Sequence, residues 1–159
     1  MMMKLSCEVI AALQGKTLVT AESCTGGGIG AALTAVPGSS AIYKGGIISY
    51  TNAVKEEQLG VNKELLNREG AVSAAVAEAM ALGARTRLDA DVAVSVTGLA
   101  GPAGDEYGNP VGTVFIGYSD LQKTISQAYH FSGDRESVRR QAVCAALSMV
   151  LQNNKRGSL

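Results

Sequence analysis

Hydrophobic positions change their period several times along this chain, and each change predicts an element. Leu5, Val9, Ala12 and Leu13 recur at helical spacing, so a short helix opens the chain. Thr17–Ala21 is a β-branched run that reads as a buried strand, followed by a glycine-rich turn over residues 23–28. Residues 29–36 read as a helix stopped by Pro37-Gly38, and 46–51 as a second strand. Residues 52–59 and 63–68 read as short helices. Ser73 is a candidate N-cap for a longer helix to about Leu88, with Val76, Met80 and Gly83 on one face. Residues 92–97 form a nearly continuous apolar run, as expected of a strand buried on both faces. Residues 98–110 make a loop rich in glycine and proline. Residues 111–118 and 124–131 predict a hairpin turning near Ser119-Asp120. Asp134 opens a last helix with Val138, Ala142, Ala145 and Met149 on one face, and residues 152–159 form a polar tail. Strands alternating with helices and ending in a hairpin imply an α/β fold, a three-layer α/β/α sandwich with a mixed, partly antiparallel sheet. At 159 residues this is one domain over 1–159, with its core at about 5–151.

Composition narrows the function. Hydrophobic residues make up 47% of the chain and charged residues 18%, which excludes a disordered chain. Fourteen basic residues balance fourteen acidic ones, so the basic excess that phosphate-backbone binding requires is missing. Aromatics are only 4%, which argues against a stacking platform for single strands. Nucleic acid is therefore not an expected partner. No apolar run approaches the length of a membrane span, and the first residues do not form a signal peptide, so a soluble, cytoplasmic protein is expected. Cys7, Cys24 and Cys144 are widely spaced and His130 is the sole histidine, so no metal site is predicted and the thiols are expected to be reduced.

Glycine is over-represented at 19 residues, and its clusters mark the two loops where strand ends can gather a ligand: residues 22–28 and 98–110. Two familiar glycine motifs fail. Gly15-Lys16-Thr17 has Ile10 where a phosphate-binding loop needs glycine, and it precedes a strand instead of following one. Gly26-Gly27-Gly28-Ile29-Gly30-Ala31 fits a dinucleotide-binding pattern, but no Asp or Glu lies between Glu22 and Glu56 to hold a ribose. What remains is Ser23 on a turn that opens a helix, where free N–H groups near residues 25–28 can stabilise an oxyanion. Ser23 reads either as a nucleophile or as a helix N-cap. Its base would be His130, in a Ser-His-Asp arrangement, or Lys55, provided that burial or a positive neighbour, such as the positive end of the helix after the glycine turn, lowers the lysine pKa. The plainer alternatives are a structural histidine and a solvated helix lysine. Cys24 is a rival nucleophile or a buried thiol.

Six segments carry a resemblance: 21–27 (Ala-Glu-Ser-Cys-Thr-Gly-Gly), 50–55 (Tyr-Thr-Asn-Ala-Val-Lys), 70–73 (Gly-Ala-Val-Ser), 96–102 (Val-Thr-Gly-Leu-Ala-Gly-Pro), 110–114 (Pro-Val-Gly-Thr-Val) and 133–135 (Gly-Asp-Arg) with Arg139-Arg140. In this order, over about residues 5–151, they resemble the CinA C-terminal domain, the competence/damage-inducible family whose stand-alone members are nicotinamide-nucleotide amidases. The resemblance implies hydrolysis of nicotinamide mononucleotide to nicotinate mononucleotide and ammonia, in pyridine-nucleotide recycling, without cofactor or metal. It implies Ser23 as nucleophile, Lys55 as its base and Tyr50 as a catalytic partner. Thr25, Gly26, Gly27, Asn52, Thr97, Gly98, Gly101 and Arg140 would bind substrate, with Arg140 on the phosphate. Outside the family, Tyr50 reads as a half-buried strand residue, Asn52 as a helix cap, Thr97 as a strand-end threonine and Arg139-Arg140 as a solvated helix face. The loop departs from the family pattern: Ala103-Gly104-Asp105-Glu106 adds two acids, and Asn109 stands where a lysine is common. This departure supports the alternative of a non-catalytic nucleotide-binding module acting through a protein partner. A homodimer is expected from the small-residue helices.

Overall fold

The structure, a computed structural model, describes residues 1–155. Six α-helices and five strands follow in chain order: α1 (Met2–Ala12), β1 (Leu18–Glu22), α2 (Gly28–Thr34), β2 (Tyr43–Ile48), α3 (Asn52–Leu59), α4 (Lys63–Glu69), α5 (Ala74–Arg87), β3 (Val92–Gly98), β4 (Thr113–Ser119), β5 (Thr124–His130) and α6 (Arg135–Asn153). The strands form one sheet in the order β2-β1-β3-β4-β5. β2, β1 and β3 are parallel; β4 and β5 are antiparallel additions. The mixed α/β sandwich read from the sequence is the observed architecture.

Side-chain size along β3 explains the two layers. Val92, Val94 and Val96 enter the larger core, shared with Val9, Leu33, Ile116, Val138 and Leu147 of the α1, α2 and α6 side. Ala93 faces the opposite core with Val76, Met80, Leu59 and Leu66, and Ser95 donates to the Ala77 carbonyl of α5. Small residues on that face let α5 lie close. A Cβ on Gly117 of β4 would stand 2.2 Å from the Ala77 carbonyl oxygen. The same device seats α3 on α5, because a Cβ on Gly83 would lie 1.9 Å from the Leu59 carbonyl oxygen.

Chain direction then fixes where a ligand can sit. From β1 the chain passes through α2 to β2 on one side, and from β2 through α3–α5 to β3 on the other. The carboxyl ends of β1, β2 and β3 therefore lie side by side at a point where the connections diverge, which is where open α/β sheets bind ligands.

Several boundaries differ from expectation, and local bonding accounts for four of the differences. β2 covers residues 43–48, not 46–51, because the Ser49 amide makes the last bond to the Glu22 carbonyl before the chain turns into α3. Thr51, not Asn52, caps α3 and accepts from the Val54 amide. β4 starts at Thr113, since Gly112 (φ +95°) is tied to Leu99 and Phe131 in a turn conformation. The polar residues at 152–154 continue the fold: α6 runs to Asn153, and buried Asn154 donates to the Tyr118 hydroxyl. Only 156–159 of the expected tail lie outside the described residues.

Candidate active site

Three strand ends supply the site. Ser23 is the first residue after β1, and its amide donates to the Val96 carbonyl, which holds it against β3. Ser49 follows β2, and Lys55 projects from the first turns of α3. The Lys55 Nζ lies 3.0 Å from Ser23 Oγ and 2.7 Å from the Ser49 carbonyl oxygen. Lys55 is 1% exposed, with no carboxylate bonded to it among the described residues. Burial, which disfavours the ammonium, pushes its pKa down to about 8, although Cys24 opposes this.

The glycine turn is built around Glu22. This carboxylate, 2% exposed, accepts from the Thr25 hydroxyl at 2.6 Å and from the Ile29 and Gly30 amides at 2.8 and 3.1 Å. It fills the N-terminus of α2, a place where a negative charge is favoured. Two expectations change as a result. The amides of Ile29 and Gly30 are occupied by Glu22, and those of Gly26 and Gly28 donate to Ser23 and Thr25 carbonyls. The Cys24 and Thr25 amides, next in the chain after Ser23, are candidate oxyanion donors. The helix end, neutralised by Glu22, is also not what lowers the Lys55 pKa; burial is. Arg139 of α6 completes the turn from outside, its guanidinium donating to the Cys24 and Thr25 carbonyls at 3.0 and 3.3 Å. Gly27 has φ +105°, which a side chain would strain.

A cavity of about 610 Å³ opens in front of this pair. Of the residues singled out from the sequence, Ser23, Lys55, Tyr50, Asn52, Thr97, Gly98 and Gly101 line it. Thr97 is turned to brace the wall, its hydroxyl donating to the Ala71 carbonyl. Thr25 is buried and holds Glu22, while Gly26 and Gly27 shape the turn behind the cavity. His130 sits on β5 opposite Thr113, away from the site. Cys24 lines the cavity, but burial pushes its thiol up to about 11, which makes it a poor thiolate source.

Arg140 is not brought to the cavity. It pairs with Glu136 at 2.8 Å on the outer face of α6. Arg135 stands there instead, donating to the Gly101 carbonyl and, at 3.1 Å, to the Tyr50 hydroxyl. Helical spacing carried the signal: Arg135 and Arg139 are four apart on one face, whereas Arg140 is turned about 100° from its neighbour. Tyr50 itself is 60% exposed and in a loop, not half-buried in a strand. The acidic loop is a brace. Asp105 accepts from the Tyr107 and Asn109 amides and from Asn109 Nδ2, which also reaches the Val72 carbonyl. The Tyr107 hydroxyl donates to the Asn67 carbonyl at 2.8 Å, fastening the loop to α4. Among the described residues, no group of three or more His, Cys, Asp or Glu side chains is placed to hold a metal, and no helix is long and apolar enough to cross a membrane.

The sequence profile of the CinA C-terminal domain matches residues 3–153. The chain belongs to this family. A CinA superfamily crystal structure from Klebsiella pneumoniae superposes with a TM-score of 0.95 at 36% identity, covering 99% of both chains. One from Escherichia coli gives 0.88 at 40% identity, covering 96% of this chain and 87% of that one. By sequence, the nicotinamide-nucleotide amidohydrolase PncC of Pseudomonas putida is 51% identical over 85% of this chain and 84% of its own length. A CinA-like protein of Thermosynechococcus vestitus is 55% identical over 76% of this chain but only 29% of its own length. Thus this CinA-family chain matches most of one relative and about a third of the longer ones.

Proposed function

We propose that this protein hydrolyses the carboxamide of nicotinamide mononucleotide, giving nicotinate mononucleotide and ammonia, as the name of the Pseudomonas putida relative indicates for that protein. The observation that carries the reading is the Ser23–Lys55 contact of 3.0 Å at the floor of an open cavity. A serine hydroxyl needs a base to become a nucleophile, and a buried lysine with its pKa near 8 can be that base at neutral pH.

In this mechanism Ser23 Oγ attacks the carboxamide carbon while its proton passes to Lys55 Nζ. The Cys24 and Thr25 amides receive the developing oxyanion. Lys55 returns the proton to the departing nitrogen, ammonia leaves, and an acyl ester on Ser23 remains. Water then attacks the ester, Lys55 takes its proton, and Ser23 regains a hydroxyl as the carboxylate product departs. Arg135, with guanidinium donors beyond those used on Gly101 and Tyr50, is the phosphate partner, a role the family resemblance had implied for Arg140. Asn52 and the wall of Thr97, Gly98 and Gly101 frame the nucleotide, and Tyr50 keeps Arg135 in place.

The test is ammonia release from nicotinamide mononucleotide by the purified protein, with nicotinamide riboside and nicotinamide as controls. Preference for the phosphorylated substrate, lost in Arg135→Ala, is expected. Absence of ammonia release from nicotinamide mononucleotide would overturn the proposal.

A further inference from the structure

Ser49 is wholly buried, and its Oγ is the one buried side-chain oxygen or nitrogen without a hydrogen-bond partner among the described residues. Such an orphan is rare in a packed interior and calls for an explanation. Its position supplies one. The carbonyl of this same residue accepts from Lys55 Nζ at 2.7 Å, and its amide is fixed to the Glu22 carbonyl. The Ser49 backbone is therefore held on both sides, and only rotation about Cα–Cβ is left to its hydroxyl.

Lys55 has a matching need. As a neutral amine it carries two N–H donors and a lone pair, and the lone pair is what takes the Ser23 proton. Once it has taken the Ser23 proton it carries three donors. Ser23 Oγ and the Ser49 carbonyl account for two, in surroundings where burial opposes the charge.

We propose that Ser49 is a positioning residue for the base: its hydroxyl turns to accept the Lys55 N–H that neither Ser23 Oγ nor the Ser49 carbonyl takes, and so supports the ammonium form. This rests on the Ser–Lys reading above. The unpartnered state is then useful, since an acceptor already bound elsewhere would have to break that bond as the charge arrives. Other groups facing Lys55 do not fill the role. Glu22 is taken by Thr25 and the α2 amides, and Asp105 by its own loop. Tyr50 and Arg135 bond to each other. Cys24 is held protonated by burial, and Glu106 is on the exposed rim of the cavity. α5 and α4 turn apolar residues, among them Val76 and Leu66, toward the core beneath α3.

The experiment compares wild type, Ser49→Ala and Ser49→Cys, which keeps the volume but offers only a weak acceptor. Lys55 is titrated directly by NMR on protein with labelled lysine, and kcat and KM for nicotinamide mononucleotide are measured against pH. Both variants should move the Lys55 titration to lower pH by about one unit, and lower kcat on the alkaline plateau about tenfold, with KM little changed. A purely structural hydroxyl would leave the titration and the plateau where they are, and that result would overturn the proposal. If the wild type releases no ammonia from the nucleotide, the amidase reading fails on its own. The NMR titration still decides whether Ser49 supports the Lys55 ammonium.

Discussion

Replacing Lys55 with methionine should make the protein more stable at pH 6 and less stable at pH 10.5. The lysine is buried to 1% exposure, and burial holds its amine at about 8 in place of the ordinary 10.5. That difference corresponds to about 3 kcal/mol of cost for folding with the charge in place. Between pH 8 and 10.5 the unfolded chain binds a proton that the folded one releases, so wild-type stability rises with pH across this window. It reaches its full value above 10.5, and the gain is lost as pH falls through 8. Methionine has nearly the same length and no charge, so the variant lacks this term. It also loses the bonds to Ser23 Oγ and the Ser49 carbonyl, and leaving that carbonyl bare costs about 1–2 kcal/mol. At pH 6 the variant should therefore gain about 1–2 kcal/mol, or about 2–6 °C in melting temperature for a chain of this size. Above pH 10.5 it should lose about 1–2 kcal/mol, with the two curves crossing near pH 9. Thermal or urea unfolding of both proteins from pH 6 to 10.5 measures this, and tyrosine titrations cancel in the difference. A stability difference independent of pH would refute the argument that burial holds Lys55 near neutrality.

The remaining predictions concern the chemistry and the turn. Because only neutral Lys55 acts as base, kcat/KM should rise about tenfold from pH 7 to a plateau above 9, with a midpoint near 8. Lys55→Arg should be nearly inactive at every pH, since arginine does not deprotonate in this range; substantial turnover would show that charge, not proton transfer, is required. Ser23→Ala should lose at least about 10³-fold in turnover while calorimetry still records nucleotide binding; near-normal turnover would eliminate serine catalysis. Glu22→Gln weakens charge-assisted bonds to the Ile29 and Gly30 amides, and should lower stability by about 2 kcal/mol and kcat together, measured by melting and by steady-state rates. An unchanged melting temperature would show that the carboxylate charge is not what holds the turn.

Elements with a strong local signal were legible in the sequence. The valine run of β3, the Ser73 cap of α5 and the Asp134 cap of α6 stand where the pattern places them, because each depends on contacts within a few residues. β2 was displaced by several residues for the opposite reason. Its extent is set by register with β1, from Tyr43 to Ile48, and Ser49, which follows it, is drawn into the turn by the Glu22 carbonyl and Lys55. The site shows the same division. Ser23, Lys55 and the two glycine loops could be picked out, but their contact joins residues 32 positions apart. Burial of Lys55 depends on α3 lying flat on α5 at Gly83, which no local pattern states.

Arginine choice shows how topology decides between chemically equal residues. Arg135, Arg139 and Arg140 share one helix and one charge, yet they do three different things. Arg135 lines the cavity beside Tyr50, Arg139 fastens the carbonyls of the nucleophile turn, and Arg140 pairs with Glu136 in solvent. The α6 axis settles this by passing along the larger core, which points positions 135 and 139 at the carboxyl ends of the strands. Glu22 then explains why a second arginine is needed outside the turn. Its carboxylate draws amides inward to one side, leaving the Cys24 and Thr25 carbonyls facing outward, and Arg139 supplies their donors. With carbonyls held from outside and amides held from within, Ser23 is fixed by backbone bonds alone. Its hydroxyl is left with one side-chain partner, Lys55, and that isolation is what makes the pair suited to proton transfer.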